Sequence, residues 1–423
     1  RPVRDRLIVG AAVVGRLRGA LGALVLAALL PLGAQAQPSP ERLKAAVAGE
    51  KAAAIETMQA LARIETGSGH APGLAQMASL LESRLRALGA QVELVPAEPS
   101  VGTNVVGRFT GRGSKSLMLI AHYDTVYPAG TVEREPVRIE GNRLYGPGIA
   151  DSKGGIALIL HAMKLLNDAG FNGWSRVTVV FNPDEEVGSR GSGPLIQRLA
   201  AEHDTVLSFE PTIALRDSVL TGASGTALGV LQVKGKAAHA GVEPANGRNA
   251  LVELSHQILQ LSDLSMPERG VSMHWTVSQA GDKRNVIPDA ATATADIRML
   301  DMGGLKVLEE AVRERITKKR IPDTEVSFRI DVNRPAFKGD AKTAVLVTRA
   351  QSIYKELGLD LNVVDTTGGG TDAGYAQAGG RAGVLESLGM PGMGFHAKQE
   401  WVDLNKVEPR LYLAVRMIVE ATR

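Results

Sequence analysis

The sequence contains no cysteine. Disulfides, thiolate metal sites and cysteine nucleophiles are therefore excluded. Net charge is also scarce: 48 Lys and Arg stand against 45 Asp and Glu, leaving +3. Part of that excess is Arg1, Arg4, Arg6, Arg16 and Arg18 at the extreme N-terminus. The remainder is close to neutral and carries no nucleic-acid footprint. The apolar run Leu21 to Leu32 is shorter than the roughly 20 residues a membrane span needs. Internal repeats are missing. The dense glycine run "TGGGTD" lacks a phosphate-loop lysine and follows no GxGxxG pattern, which argues against a nucleotide-binding protein.

What is present begins with a leader. The arginines precede "GALGALVLAALLPLGAQAQ", an apolar run ending on the small-residue site Ala34-Gln35-Ala36. Residues 1–36 read as a secretory signal peptide cleaved before Gln37, with an uncleaved anchor as the alternative. Cleavage predicts a secreted or periplasmic protein that keeps no membrane attachment. The rest, at 44% apolar and 22% charged overall, has the composition of a folded chain too long for a single core.

From Pro40 onward helices and strands alternate. Leu74–Ala90 and Gly154–Gly170 repeat apolar residues at helical spacing and stop at glycines. Leu117–Ala121, Arg176–Asn182 and Asp204–Glu210 read as short buried strands. This pattern predicts an α/β fold, a mostly parallel sheet covered by helices on both faces. The middle differs. Strand candidates Thr226–Lys236, Val271–Gly281, Ala291–Leu300 and Thr324–Val332 alternate with helices Asn249–Leu264 and Gly304–Lys319. The order β-α-β-β-α-β is that of a split βαβ unit. We therefore expect a catalytic domain from 37–223 and 336–423, interrupted by a ferredoxin-like α+β domain at 224–335.

The chemistry collects where strands stop. "LMLIA" delivers His122 and then Asp124; "LYGPGIA" delivers Asp151; "VTVVFNPD" delivers Glu185 and Glu186; "VLSF" delivers Glu210; "GMPGMGF" delivers His396. Open α/β sheets bind ligands outside the carboxyl ends of their strands. Two histidines with several carboxylates form a nitrogen and oxygen donor set that suits zinc, with cobalt or manganese as substitutes. The ligands outnumber those of one tetrahedral ion, so two metals roughly 3.5–4 Å apart are expected, with one carboxylate bridging them. One carboxylate must stay off the metals to take a proton from water.

These stretches, with "HYDTV", "ADSKGG", "DEEVGS", "SFEPT", "AAHAG", "RNVIP", "TGGGTDA" and "GFHA", resemble the di-zinc family of aminoacylases, acetylornithine deacetylases and glutamate carboxypeptidases. The likeness runs from about residue 50 to the C-terminus and is strongest to folate-cleaving glutamate carboxypeptidases of the carboxypeptidase G type. The resemblance implies that His122 and Glu210 hold one zinc and that Glu186 and His396 hold the other. Asp151 would bridge them and precede a cis peptide to Ser152. Glu185 would be the general base acting on a metal-bridging water, and Asp124 would orient His122. The inserted domain would be a lid and dimerisation domain, hinged near Gly222–Gly225 and Arg334–Lys338. From it His239 would reach the partner subunit's site in a homodimer to stabilise an oxyanion, and Asn285 would face substrate. His70, His161, His203, His256 and His274 match no motif and read as ordinary surface or core.

The implied substrate is a small molecule with a free carboxylate beside the scissile amide, glutamate conjugates first. Arg298, Arg334 and the backbone at Gly370 would bind that carboxylate. The resembled glutamate carboxypeptidases carry a lysine near Ser218. It is missing here, although Arg216 stands close by. Alternatives are an N-acyl amino acid deacylase or dipeptidase on the same scaffold, or a binding protein that kept the fold and lost the chemistry.

Overall fold

The computed structural model describes residues 37–213 and 216–423. The expected signal peptide lies outside the described residues. The chain opens with helix α1 (Pro40–Ala62), capped by the Ser39 hydroxyl, and α2 (Ala71–Ala87). The α2 helix stops where sequence predicts, because Gly89 supplies a left-handed residue (φ 90°) just beyond it.

The central sheet contains β1 (Gln91–Pro96), β2 (Thr103–Thr110), β3 (Ser116–His122), β4 (Arg176–Asn182), β5 (Thr205–Ser208) and a late strand, Gly383–Leu385. Its spatial order is β1-β2-β4-β3-β5 followed by Gly383–Leu385. The pairs β4–β3, β3–β5 and β5 with the late strand are parallel; β1–β2 and β2–β4 are antiparallel. The sheet is thus mixed, with its antiparallel part at one edge. At that edge β1 and β2 follow one another through a short connection, which only antiparallel strands allow. Strand β3 is buried along its whole length, which is why its sequence shows no alternation. Helix α3 (Gly154–Asp168) covers the sheet together with the C-terminal helix Val407–Glu420, almost every residue of which is buried.

A second, five-stranded sheet was not anticipated. It orders Arg138–Glu140, Arg143–Tyr145, Trp401–Asp403, Pro391–Met393 and Thr212–Ile213. Each strand is only two or three residues long, too short to show a period. It matters because it gathers the segments that follow Glu210, precede Asp151 and flank His396.

The insertion forms its own four-stranded antiparallel sheet: β6 (Gly225–Lys234), β7 (Val271–Ala280), β8 (Ala290–Met299) and β9 (Glu325–Arg334), ordered β7-β8-β6-β9. Helices Ala250–Leu261 and Met302–Arg315 pack on one face around Leu231, Leu254, Ile297 and Leu308. This is the split βαβ arrangement. Its two connections run side by side, Gly222–Ala223 pairing with Phe337–Lys338.

Candidate metal centre

Strand β3 ends on His122, in register with Asn182 at the end of β4. The next carboxylate, Asp124, is fully buried. Its Oδ1 accepts the Glu185 N–H at 3.0 Å, and its Oδ2 accepts the Glu186 N–H at 3.2 Å and the Ser68 hydroxyl at 2.7 Å. Asp124 therefore holds the turn that carries both glutamates. It also orients the imidazole: His122 Nδ1 lies 3.0 Å from the Asp124 carbonyl and 3.3 Å from Oδ1. Two acceptors on that side put the proton on Nδ1 and leave the Nε2 lone pair free to bind a metal.

His122 Nε2 faces Asp151 Oδ1 at 2.9 Å and Glu210 Oε2 at 3.5 Å. His396 Nε2 faces Asp151 Oδ2 at 3.3 Å and Glu186 Oε2 at 3.0 Å. The two Asp151 oxygens are thus turned toward two different imidazole–carboxylate pairs. Donor atoms of His122, Asp151 and Glu186 all lie within 4.8 Å of one another. The Asp151–Ser152 peptide is cis, and His396 has a left-handed backbone (φ 57°).

The electrostatics ask for a cation. Burial pushes the carboxyl groups of Glu186 and Glu210 up, and that of Glu185 to about 8. Burial would lower the His122 pKa, but the Glu210 charge and bonds to Asp124, Asp151 and Glu210 carry it well above the usual histidine range. The carboxylates of Asp151, Glu185, Glu186 and Glu210 crowd two imidazoles, and among the described residues Arg334 is the one guanidinium bonded to any of the four. Buried charge of one sign is paired or coordinates metal. The donor set fits divalent ions of the zinc type.

Glu185, 6% exposed, carries the Arg334 guanidinium on both its carboxylate and its carbonyl. Arg334 is 7% exposed at the end of β9, and a side chain at Gly370 would collide with it, a Cβ meeting Arg334 Cδ at 2.8 Å. Arg334 and Gly370 are therefore brought beside Glu185, and Arg334 is already engaged with that carboxylate. The remaining candidates are not brought in within one subunit's described contacts. His239 and Asn285 are exposed neighbours on the two-stranded ribbon Ala238–His239 and Val286–Ile287. Arg298 is exposed and paired with Asp296 at 2.9 Å. His239 is nonetheless organised: the Gly241 and Val242 N–H groups both donate to its Nδ1 at 3.1 Å. That fixes the neutral ring with its proton on Nε2, a hydrogen-bond donor.

Sequence reasoning missed Ser68, Tyr127, Lys153 and Glu400, which surround the candidate ligands. Their partners Asp124, Glu400, Ile64 and the 148–151 backbone lie far away along the chain, and although Lys153 falls within "ADSKGG", nothing local indicates what it holds. Of the unassigned histidines, His161 and His203 are core residues held by Glu50 and Thr57, and by Leu199 and Thr178.

Residues 118–420 match the sequence profile of peptidase family M20/M25/M40. The chain belongs to this family. It is 42% identical over 405 residues to carboxypeptidase G2 of Pseudomonas sp. (strain RS-16), covering 95% of this chain and 97% of that one. It is 28% identical to the succinyl-diaminopimelate desuccinylase of Gluconobacter oxydans (strain 621H) over 79% of this chain and 90% of that one. Among solved structures, aminopeptidase PepT from Bacillus cereus superposes with a TM-score of 0.72 at 18% identity, covering 88% of this chain and 99% of that chain. The M20 metallo-carboxypeptidase Sso-CP2 from Sulfolobus solfataricus gives 0.64 at 17% identity, over 87% and 99%. The α/β fold with an inserted α+β unit is that of the M20 family, and the chain is a metal-dependent hydrolase of it. No described helix is long and apolar enough to cross a membrane.

Proposed function

We propose that this enzyme is a di-zinc carboxypeptidase that releases a C-terminal amino acid, glutamate first among candidates, from N-acyl or folate-type conjugates. The observation that carries the reading is Asp151, whose two oxygens address separate imidazole–carboxylate pairs with Glu185 alongside. His122 and Glu210 would hold one ion, Glu186 and His396 the other, and Asp151 both. Bound there, paired zinc ions would polarise the scissile carbonyl and acidify the attacking water. Glu185 takes the water's proton and passes it to the leaving amine; its burial and raised pKa suit a group that must carry that proton. The Arg334 guanidinium, now bonded to Glu185, would with Arg298 and the backbone at Gly370 receive the substrate's α-carboxylate. His239, held as an Nε2–H donor, would stabilise the oxyanion from a partner subunit. Residues 1–36 would export the protein and be removed, leaving a periplasmic or secreted homodimer joined through residues 224–335.

A relaxed side-chain preference is the second reading. Ser218, near where a glutamate-binding lysine is expected, is buried with its hydroxyl 2.5 Å from that of Thr212. The deciding measurement is free amino-acid release by zinc-loaded protein from pteroyl-glutamate, N-benzoyl- and N-acetyl-glutamate, the matching aspartates, N-acetylornithine and a dipeptide. Glutamate release that vanishes in Glu185→Gln is the expected result. Turnover of the other conjugates but not of glutamates would move the enzyme to the deacylases or dipeptidases. Two bound zinc ions without turnover of any would leave a binding protein.

A further inference from the structure

Glu400 is 2% exposed and sits behind the ligands, between two loops that each supply one. Its Oε1 accepts the Ala150 N–H at 2.8 Å and the Asp151 N–H at 3.0 Å. Its Oε2 accepts the Gly148 N–H at 3.0 Å and the Tyr127 hydroxyl at 2.6 Å. Its own carbonyl takes the Gly146 N–H at 3.1 Å. From the other side the buried Lys153 ammonium donates to the carbonyls of Pro147 at 3.3 Å and Ile64 at 2.8 Å. Two buried ionisable side chains thus bind the N–H groups of Gly148, Ala150 and Asp151 and the Pro147 carbonyl. Burying them is costly, and a loop alone does not require it.

The same carboxylate governs the other loop. Glu400 belongs to the hairpin that carries His396, where His396 and Gln399 both adopt left-handed backbones (φ 57° and 66°). Such conformations are unfavourable for side-chain-bearing residues and persist only when their surroundings hold them. Tyr127 supplies part of that hold: its hydroxyl lies 2.6 Å from Glu400 and 3.0 Å from the Ala397 carbonyl.

We propose that Glu400 is a positioning residue: it locks the Asp151 loop to the His396 hairpin and so sets the spacing between the two cation positions. The contacts of Glu400 are to Tyr127 and the backbone of 146–151, so it would act through Asp151 and His396. The inference rests on the di-metal reading above. A single carboxylate with four donors does this better than an amide, because Gln would turn its NH₂ toward either the loop N–H groups or Gly148 and Tyr127.

The test is metal affinity of the purified full chain, measured by chelator competition, together with the cobalt(II) d–d spectrum, which reports ligand geometry independently of turnover. Glu400→Gln should bind about 10–100-fold more weakly, as outer-sphere changes usually do, with an altered cobalt spectrum. Tyr127→Phe should shift the spectrum in the same direction with a smaller loss. Wild-type affinity and spectrum in Glu400→Gln would overturn the proposal. If metal-free circular dichroism shows Glu400→Gln unfolded, Tyr127→Phe decides, and an unchanged spectrum and affinity there overturn it. Wild-type protein that takes up no metal would instead sink the di-metal reading, and this inference with it.

Discussion

At the carboxyl edge of the central sheet, His122 is 1% exposed and Asp124 is fully buried, each held by several partners. On the inserted module, His239, Asn285 and Arg298 stand exposed. The first region builds its site once, from five segments locked by buried charge. The second presents isolated side chains on a ribbon and an open sheet face, fixed mainly through backbone. A site complete in one subunit has to be rigid. Groups that meet substrate only on closure or across a subunit boundary have to stay accessible.

That contrast predicts that substitutions at the edge disturb chemistry and stability together, whereas those on the insertion disturb chemistry alone. The largest effect belongs to Glu185. Glu185→Gln should lower kcat by about 10²–10⁴-fold, the usual worth of a general acid–base, with metal content unchanged. Removing the charge also leaves Arg334 buried without its ion partner, and such a loss costs about 3–5 kcal/mol. Urea unfolding beside steady-state kinetics tests both. A large fall in kcat at full stability would break the comparison.

Acid should act on the central region as well. His203 is buried, its Nδ1–H donating to the Leu199 carbonyl and its Nε2 bonded to the Thr178 hydroxyl, and burial lowers its pKa to about 4. The unfolded chain binds this proton near pH 6.5. Between those values the unfolded state holds more protons than the folded one, so stability falls as pH drops from 6.5 to 4 and is fully present above 6.5. The lost stability is on the order of 3 kcal/mol for this residue. Unfolding free energies across that window should flatten in His203→Gln, and an unchanged slope would remove His203 as the cause.

The same contrast explains what could be read beforehand. His122, Asp151, Glu185, Glu186, Glu210 and His396 were legible because each follows a strand or a glycine-marked turn. A site residue in that position announces itself locally. Glu400 does not: its four donors come from residues 127 and 148–151, and nothing in "AKQEW" indicates them. Arg334 was expected on a substrate carboxylate and is found on Glu185, because spacing says nothing about which anion an arginine meets. The five-stranded sheet was illegible for another reason: strands of two or three residues carry no period. Mixed pairing at the β1–β2 edge escaped even though β1 is largely exposed, because a run of six residues does not state which way its neighbouring strand points.

On the insertion, His239→Asn should lower kcat by about 10²-fold, at the lower end of what removing one oxyanion donor costs. Stability should stay within about 0.5 kcal/mol, since the ring is exposed and bound only to neighbouring N–H groups. If His239 serves the partner's site, mixing His239→Asn with inactive Glu185→Gln subunits should restore part of the activity, because one site in the hybrid has both groups. No recovery on mixing would return His239 to its own subunit or to no catalytic part.

The smallest effect should be at Arg298. Thr226 pairs with Arg298 on one side and with Arg334 on the other, so the three share one face of the sheet with the arginines about 10 Å apart. Arg334 is committed to Glu185, whereas Arg298 holds only the exposed Asp296, a pair worth about 0.2–1 kcal/mol. Its guanidinium is the freer of the two to follow a substrate carboxylate. Arg298→Ala should therefore raise KM for glutamate conjugates about 10-fold with kcat and stability nearly unchanged. An unchanged KM would leave the α-carboxylate to Arg334 alone, and binding would then have to pull Arg334 from Glu185, the proposed base.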